Sequence, residues 1–207
     1  DIIPQLMEKA AALGILGAAL PEEYGGMSVD FNTESVLSEE LGKSQSFSVA
    51  LAAHMGIGTL PILYYGTDTQ KKKYLTGLGN GSIKAAYCLT EPDSGSDALA
   101  AKSKAVLDGD EWVLNGAKMW ITNAGFADLF TVFAQVDGDK FTGFLVEKGT
   151  PGLSLGDEEV KLGIKGSSTR QVFLDDVRIP KDNLLGEIGK GHKIAFNVLN
   201  IGRYKLC

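Results

Sequence analysis

Two short runs hold the residue types best suited to gripping a ligand. They are Tyr87-Cys88-Leu89-Thr90-Glu91-Pro92-Asp93-Ser94-Gly95-Ser96-Asp97 and, downstream, Trp120-Ile121-Thr122-Asn123. The first closes a β-like stretch and opens into a turn of small hydroxyl residues and glycine. Gly95 lets backbone N–H groups come close to an anion, and Ser94 and Ser96 add donors, which makes a cradle for a pyrophosphate. The same residues also describe an acidic surface turn capped by Asp93 and Asp97. Trp120 offers an aromatic wall and Thr122 a hydroxyl. Equally, a Trp near a strand end is ordinary core and a Thr fills a β position. One hydroxyl bond contributes only about 0.5–1.5 kcal/mol, so its value to a ring lies in orientation. Together, an indole wall, edge hydrogen bonds and a close-approach loop suit a planar, polar-edged cofactor such as a flavin.

Other reactive types give less. Glu91, Asp93 and Asp97 lack the regular spacing and terminal Glu of an EF-hand, so a calcium loop is discounted. His54 falls in an apolar, Ala-rich stretch and reads as a satisfied core residue, while His192 follows Gly191 at a helix start and reads as a surface one. Neither accompanies a G-x-S-x-G elbow, and two His with two distant Cys cannot build a zinc cluster. Hydrolysis and a metal site are therefore not supported. No G-x-G-x-x-G follows a strand and opens a helix, which leaves a Rossmann nucleotide site without support. Of three arginines (Arg170, Arg178 and Arg203), the last shares a helix face with Asn200. There it can hold a polar part of a substrate or pair with a carboxylate, and the residues alone allow both.

The elements that must position these groups come from 207 residues, 44% hydrophobic and 22% charged. Those are ordinary values for a globular protein of one large or two small domains. A net charge of -6 without a basic face disfavours nucleic acid, and Lys71-Lys72-Lys73 reads as a solvated helix face. Cys88 and Cys207 provide no disulfide framework and suit a reducing compartment. No apolar run is expected to reach the roughly 18 residues of a membrane span. Asp1-Ile2-Ile3-Pro4 is neither a signal nor a transit peptide, and both ends read as cut from a longer protein.

Helical period marks residues 1–82. Leu6, Met7, Ala10, Leu13 and Leu16 form one stripe, stopped by Gly17 and the turn Pro21-Glu22-Glu23-Tyr24-Gly25-Gly26. Residues 33–42 repeat it through Val36, Leu37 and Leu41. Residues 46–63 are Ala-rich and nearly uncharged, as a helix buried on several sides would be, and 68–78 form a helix capped at Thr67 or Asp68. From Ala85 to Pro180, β-branched and aromatic residues alternate with polar ones. Turns fall at Asp108-Gly109-Asp110, Asn115-Gly116, Asp137-Gly138-Asp139 and Pro151-Gly152. Strands are expected around 112–114, 130–133, 142–146 and 171–174, in a compact antiparallel barrel or sandwich. Helical period returns through Ile194, Phe196, Val198, Leu199 and Ile201. The fold class is α+β: an N-terminal all-helical domain (1–82), a middle β-domain (83–187) and the first helix of a C-terminal helical bundle (188–207).

On these residues the chain resembles the acyl-CoA dehydrogenases, flavoenzymes with helical, β and helical domains in that order. The likeness runs from about Leu13 to the last residue. It rests on Pro21 to Gly26, on Tyr87 to Asp97, and on Leu114-Asn115-Gly116 through Trp120-Ile121-Thr122-Asn123. Gly163-Ile164-Lys165 with Val172 to Pro180, and Leu185-Gly186 to Gly202-Arg203, complete it. The details look most like the very-long-chain branch. The resemblance implies FAD, with Tyr87, Leu89, Thr90, Gly95, Ser96, Trp120, Ile121 and Thr122 against it. Thr90 would bond the pyrimidine end, Gly95-Ser96 approach the phosphates, Trp120 cover the ring and Thr122 bond its N5 side. Ser96, Asn200 and Arg203 would contact the acyl-CoA substrate.

The implied reaction is α,β-dehydrogenation of an acyl-CoA thioester to trans-2-enoyl-CoA in fatty-acid β-oxidation. A base removes the α-proton as the β-hydrogen leaves as hydride for the flavin, a positioning problem. Electrons then pass to an electron-transferring flavoprotein. The family's base is a Glu of the C-terminal helical domain, of which this sequence holds only the first helix. No carboxylate present is put in its place, and the chain alone is expected to bind FAD weakly and turn over little. The family also implies a homodimer or homotetramer, in a bacterial cytoplasm or a mitochondrial matrix. Three alternatives stay open: a branched-chain acyl-CoA dehydrogenase of amino-acid breakdown, an acyl-CoA oxidase, or a non-catalytic flavin-binding assembly protein. Val49, Ala50, Ala52, Ala53 and Gly56 leave room for a long acyl tail if their helix lines that pocket, and equally suit close helix packing. Each buried CH₂ would contribute about 0.8 kcal/mol.

Overall fold

The computed structural model describes residues 2–205, with side chains through Arg203; Cys207 lies outside the described residues. Helix α1 (Ile2–Ala12) buries Ile3, Met7 and Ala10, a single i, i+4, i+7 stripe. Leu13 leaves that stripe. Gly14, at φ 76°, ends the helix, Leu13 is 73% exposed, and Leu16 reaches the core from a separate 3₁₀ turn. Helix α2 (Phe31–Gly42) starts at Asp30, whose carboxylate accepts the Thr33 N–H. Val36, read as part of its apolar stripe, is exposed.

Residues 46–63, read as one helix, fall into three pieces: α3 (Ser46–Ala53), a π turn (His54–Gly58) and α4 (Leu60–Tyr65). Such turns widen a helix by one residue and recur at functional sites. Thr59 Oγ1 donates to the His54 carbonyl across the irregularity, at 2.7 Å. The run Ser46–Tyr65 has a mean hydropathy of 1.5 and is long and apolar enough to cross a membrane. That corrects the expectation that no stretch reaches spanning length. Half of it is buried inside the protein, as a core helix would be. Helix α5 (Asp68–Gly79) opens with a capping box, in which Thr67 and Gln70 exchange side-chain-to-backbone hydrogen bonds.

Eight strands follow: β1 (Ala85–Cys88), β2 (Lys104–Asp108), β3 (Glu111–Thr122), β4 (Leu129–Val136), β5 (Lys140–Glu147), β6 (Leu153–Glu158), β7 (Thr169–Pro180) and β8 (Leu184–Leu185). Their order is β6-β7-β3-β2-β4-β5-β8, with β1 added against β4. Five pairings are antiparallel, but β1–β4 and β2–β4 run parallel, so the sheet is mixed. Alternation marks a strand; it carries no information on the direction of the strand beside it.

Strand β4 serves two cores and is buried at every position. Phe130, Val132 and Ala134 pack with Trp112, Leu114, Val172 and Val177 inside the folded sheet. Leu129 and Phe133 face the other way, onto Ile62, Leu75, Leu78 and Ile194 of the helices. Helix α6 (Gly191–Lys205) adds Ala195 to this second core, and so returns the chain to the seam between helices and sheet.

Candidate functional site

A cleft of about 160 Å³ opens on that seam. The end of β1 gives it Tyr87, Leu89 and Thr90, and the end of β3 gives Trp120, Ile121 and Thr122. Ile57 of the π turn and Leu199 of α6 close it. Six of the sequence-derived site residues thus meet in one place.

Strand β3 delivers its residues through an irregularity. The register against β7 shifts between Lys118 and Ile121, and within it Trp120 sits at φ 55° with 62% of its surface exposed. A bulky residue in the left-handed region is an outlier. The bulge turns the indole out of the sheet, so Trp120 stands on the rim of the cleft and not in the core. The Met119 N–H donates to the Thr90 carbonyl at 2.9 Å and stitches the two runs together. Asn123, also left-handed and fully buried, donates to the Ala50 carbonyl at 2.8 Å and joins the strand end to α3. Tyr87 packs its ring edge-on to Phe133, with its hydroxyl 3.4 Å from the Ala195 carbonyl of α6.

Behind this rim lies a buried ion pair. Lys118 is 0% exposed, and its Nζ donates to Glu91 Oε1 and to the Phe133 carbonyl. The Glu91 carboxylate also accepts the N–H groups of Lys102 and Ser103. Burial alone would push the Glu91 carboxyl up, but Lys118 and the N–H donors outweigh it and hold it below the usual range. Burial draws the Lys118 ammonium below the usual lysine range, against the pull of Glu91. Sequence reasoning saw Glu91 only as a loop carboxylate and missed Lys118. A signal was there: Trp112, Leu114 and Lys118 share the inward parity of β3, where a lysine is out of place.

Gly95 and Ser96 are exposed and lie outside the cleft lining. A Cβ built at Gly95 would meet nothing within 4 Å among the described residues, and the backbone there is not left-handed. Neither packing nor conformation among the described residues requires a glycine at this position. Ser94 corrects an expectation: it is buried and its hydroxyl donates to the Asp97 carbonyl at 2.7 Å, so it is spent on the turn. Asn200 lines a different recess, of about 510 Å³, with Phe31, Glu34, Leu60 and Tyr64. Arg203 donates to Asn200 Oδ1 at 3.2 Å, which bears out their shared face. Of Val49, Ala50, Ala52, Ala53 and Gly56, Ala50 and Gly56 are buried and Ala52 is exposed; from the same run Ile57 lines the cleft and Leu60 the larger recess. Cys88 is buried, its thiol pushed up to about 12, and so stays protonated. His54 is a core residue, bonded at both nitrogens, and His192 is half-buried. Among the described residues no group of three or more His, Cys, Asp or Glu could hold a metal ion.

Helices, a mixed sheet and a returning helix around one aromatic and hydroxyl-lined cleft define a class. The family models for the acyl-CoA dehydrogenase N-terminal domain and middle domain match residues 1–82 and 86–177, and the chain belongs to that family. Particular relatives are similar over nearly all of it. A probable acyl-CoA dehydrogenase of Bacillus subtilis (strain 168) is 59% identical over 205 residues, 98% of this chain and 34% of that protein. The human mitochondrial very long-chain specific acyl-CoA dehydrogenase is 44% identical over 207 residues, 94% of this chain and 32% of that one. The crystal structure of an acyl-CoA dehydrogenase complexed with FAD from Bacillus anthracis superposes with a TM-score of 0.97 at 53% identity. It covers 99% of this chain and 35% of that one. The chain spans about a third of the length of these relatives. The family is one of FAD-binding oxidoreductases, with bacterial and mitochondrial members.

Proposed function

We propose that this chain forms the helical and flavin-binding portion of an acyl-CoA dehydrogenase, with units at 1–82, 83–187 and 188–207. The observation that carries the reading is the convergence of Thr90, Trp120 and Thr122 on one cleft. An isoalloxazine needs one broad face covered and its polar edge bonded, and an exposed indole beside two threonines supplies both. The open space at Gly95 suits backbone approach to a phosphate. When bound, FAD supplies the two-electron acceptor for oxidising the Cα–Cβ bond of an acyl-CoA.

The chain's own residues bind and orient. Trp120 covers the ring, Thr90 and Thr122 fix its edge, and Tyr87, Leu89 and Ile121 back it. Gly95 and Ser96 take the phosphates, while Ser96, Asn200 and Arg203 hold the thioester and CoA. The proton acceptor we assign, as the family resemblance implies, to a Glu of a C-terminal helical domain; none of the residues described as lining the cleft is a carboxylate. Long-chain thioesters are the proposed substrates, supported by the similarity to very long-chain relatives. An electron-transferring flavoprotein is the proposed acceptor, within a homo-oligomer in a bacterial cytoplasm or a mitochondrial matrix.

The test is the full-length protein, purified and made anaerobic. It should be yellow and should bleach on adding palmitoyl-CoA; a colourless protein, or colour that persists, sinks the proposal. Comparing kcat/KM for butyryl-, octanoyl- and palmitoyl-CoA then tests chain length, and a butyryl preference refutes the long-chain assignment. Reoxidation by O₂ at the rate seen with the flavoprotein would make the enzyme an oxidase.

A further inference from the structure

We propose that Lys118 and Glu91 are positioning residues of the cleft, holding the indole wall and the phosphate loop in one geometry. The inference rests on the flavin reading. Trp120 occupies a backbone conformation that a bulky residue does not choose by itself, so its surroundings must impose it. The ladder to β7 resumes on either side, at Lys118 opposite Val172 and Ile121 opposite Arg170, and further bonds tie the bulge to the rest of the site. Lys118, two residues earlier, is anchored at Nζ to Glu91 and to the Phe133 carbonyl in β4. Between them, the Met119 N–H is held by the Thr90 carbonyl.

Glu91 ties the other half of the site to the same point. It directly follows Thr90 in sequence. Its backbone exchanges hydrogen bonds with Ser94, at 2.9 and 3.2 Å, closing the turn that presents Gly95 and Ser96. Its carboxylate gathers the N–H groups of Lys102 and Ser103 on the far side of that loop. One carboxylate therefore fixes the end of β1, the loop of residues 91–103 and the bulge of β3. Neither residue lines the cleft, and both act through Thr90, Trp120 and Gly95-Ser96.

Charge, and not bulk, is what this position uses. Three directed donors on one buried carboxylate admit one arrangement, where apolar side chains of equal volume admit several. Removing one partner strands the other charge, whereas neutralising both keeps the packing and loses the direction.

The test uses the full-length protein labelled with 5-fluorotryptophan, with the Trp120 resonance assigned by its loss in Trp120→Phe. Glu91→Gln, Lys118→Met and the double variant are compared with wild type by ¹⁹F NMR of the apo form, FAD dissociation constant and visible circular dichroism of bound flavin. Arg178→Met, which breaks a surface pair with Asp108 and Glu111, is the control. The pair variants should shift or broaden the Trp120 resonance and weaken FAD binding on the order of tenfold, with the control unchanged. Glu91→Gln keeps its volume and an oxygen acceptor, so it decides the matter if Lys118→Met does not fold. Folded variants with wild-type Trp120 signal and FAD affinity overturn the proposal. A wild type that takes up no FAD, while its Trp120 resonance still moves in the variants, sinks the flavin reading and leaves this inference standing.

Discussion

At Gly95 the protein makes no demand of its own, and that separates ligand from fold. Gly95→Val should leave unfolding by urea within about 0.5 kcal/mol of wild type, the usual range for an exposed site, while FAD affinity drops. Gly116 is the counter-case: at φ 150°, a Cβ there would lie 2.2 Å from Ser103 Oγ. Gly116→Ala should cost about 1–3 kcal/mol by overpacking. If Gly95→Val binds FAD unchanged, the loop does not approach the cofactor. Thr122→Val removes one hydroxyl and should raise the FAD dissociation constant between about twofold and tenfold, the worth of one hydrogen bond; titration of apoprotein measures it. The convergence of Thr90, Trp120 and Thr122 on one cleft was legible because their types are conspicuous: hydroxyls and an indole clustered at two strand ends. Ile57 and Leu199 were not, since an apolar side chain facing a cleft is indistinguishable in sequence from one facing the core. Ser94 misled for a related reason: a hydroxyl in a Gly/Ser loop serves a ligand or the turn, and only geometry shows which.

Elements were legible where period or capping is strong. The capping box at Thr67 and Gln70 and the apolar returns of α6 need only local sequence. The π turn of residues 54–58 was not legible, because one extra residue in a single turn barely disturbs an apolar pattern that is apolar nearly all round. Its register is fixed instead by His54, which is fully buried. Its Nε2 lies 2.9 Å from the Leu78 carbonyl and its Nδ1 accepts the Ala85 N–H at 3.1 Å. Both bonds together require the neutral ring with its proton on Nε2. Burial lowers its pKa from 6.5 to about 4. The unfolded chain takes up a proton below pH 6.5 and the native imidazole refuses it until about pH 4. The contribution of His54 is therefore whole above pH 6.5 and drains as pH falls, by about 3 kcal/mol at pH 4. Urea midpoints against pH, for wild type and His54→Gln, measure it as a difference that cancels the carboxylates common to both. A variant with the same slope between pH 6.5 and 4 would remove the buried imidazole as its cause.

At the scale of the whole molecule, the cleft belongs to no single layer. Helices and sheet are joined by His54 to Ala85, Asn123 to Ala50, Tyr74 to Glu147, and Gln70 Nε2 to the carbonyls of Asp182 and Leu184, both at 2.8 Å. Sequence texture marked where helices give way to strands, but not this stitching, because each bond links residues dozens of positions apart. A ligand seated between Ile57, Trp120 and Leu199 touches the π turn, β3 and α6 together. Its binding energy is then drawn from all three, and their local opening is suppressed together. Hydrogen exchange on the full-length protein should show FAD protecting amides around residues 54–59, 87–95 and 119–123 in concert. The midpoint of thermal unfolding should climb with FAD concentration, corresponding to about 2.7 kcal/mol at a hundredfold excess over the dissociation constant. Gln70→Ala leaves two carbonyls without their donor, at a cost of about 1–3 kcal/mol. Gln70 does not line the cleft, so the same stability deficit should persist with FAD saturating, as independent sites require. Protection confined to β1 and β3, with the π turn exchanging as freely as in the apoprotein, would place the ligand on the sheet alone and remove the helices from the site.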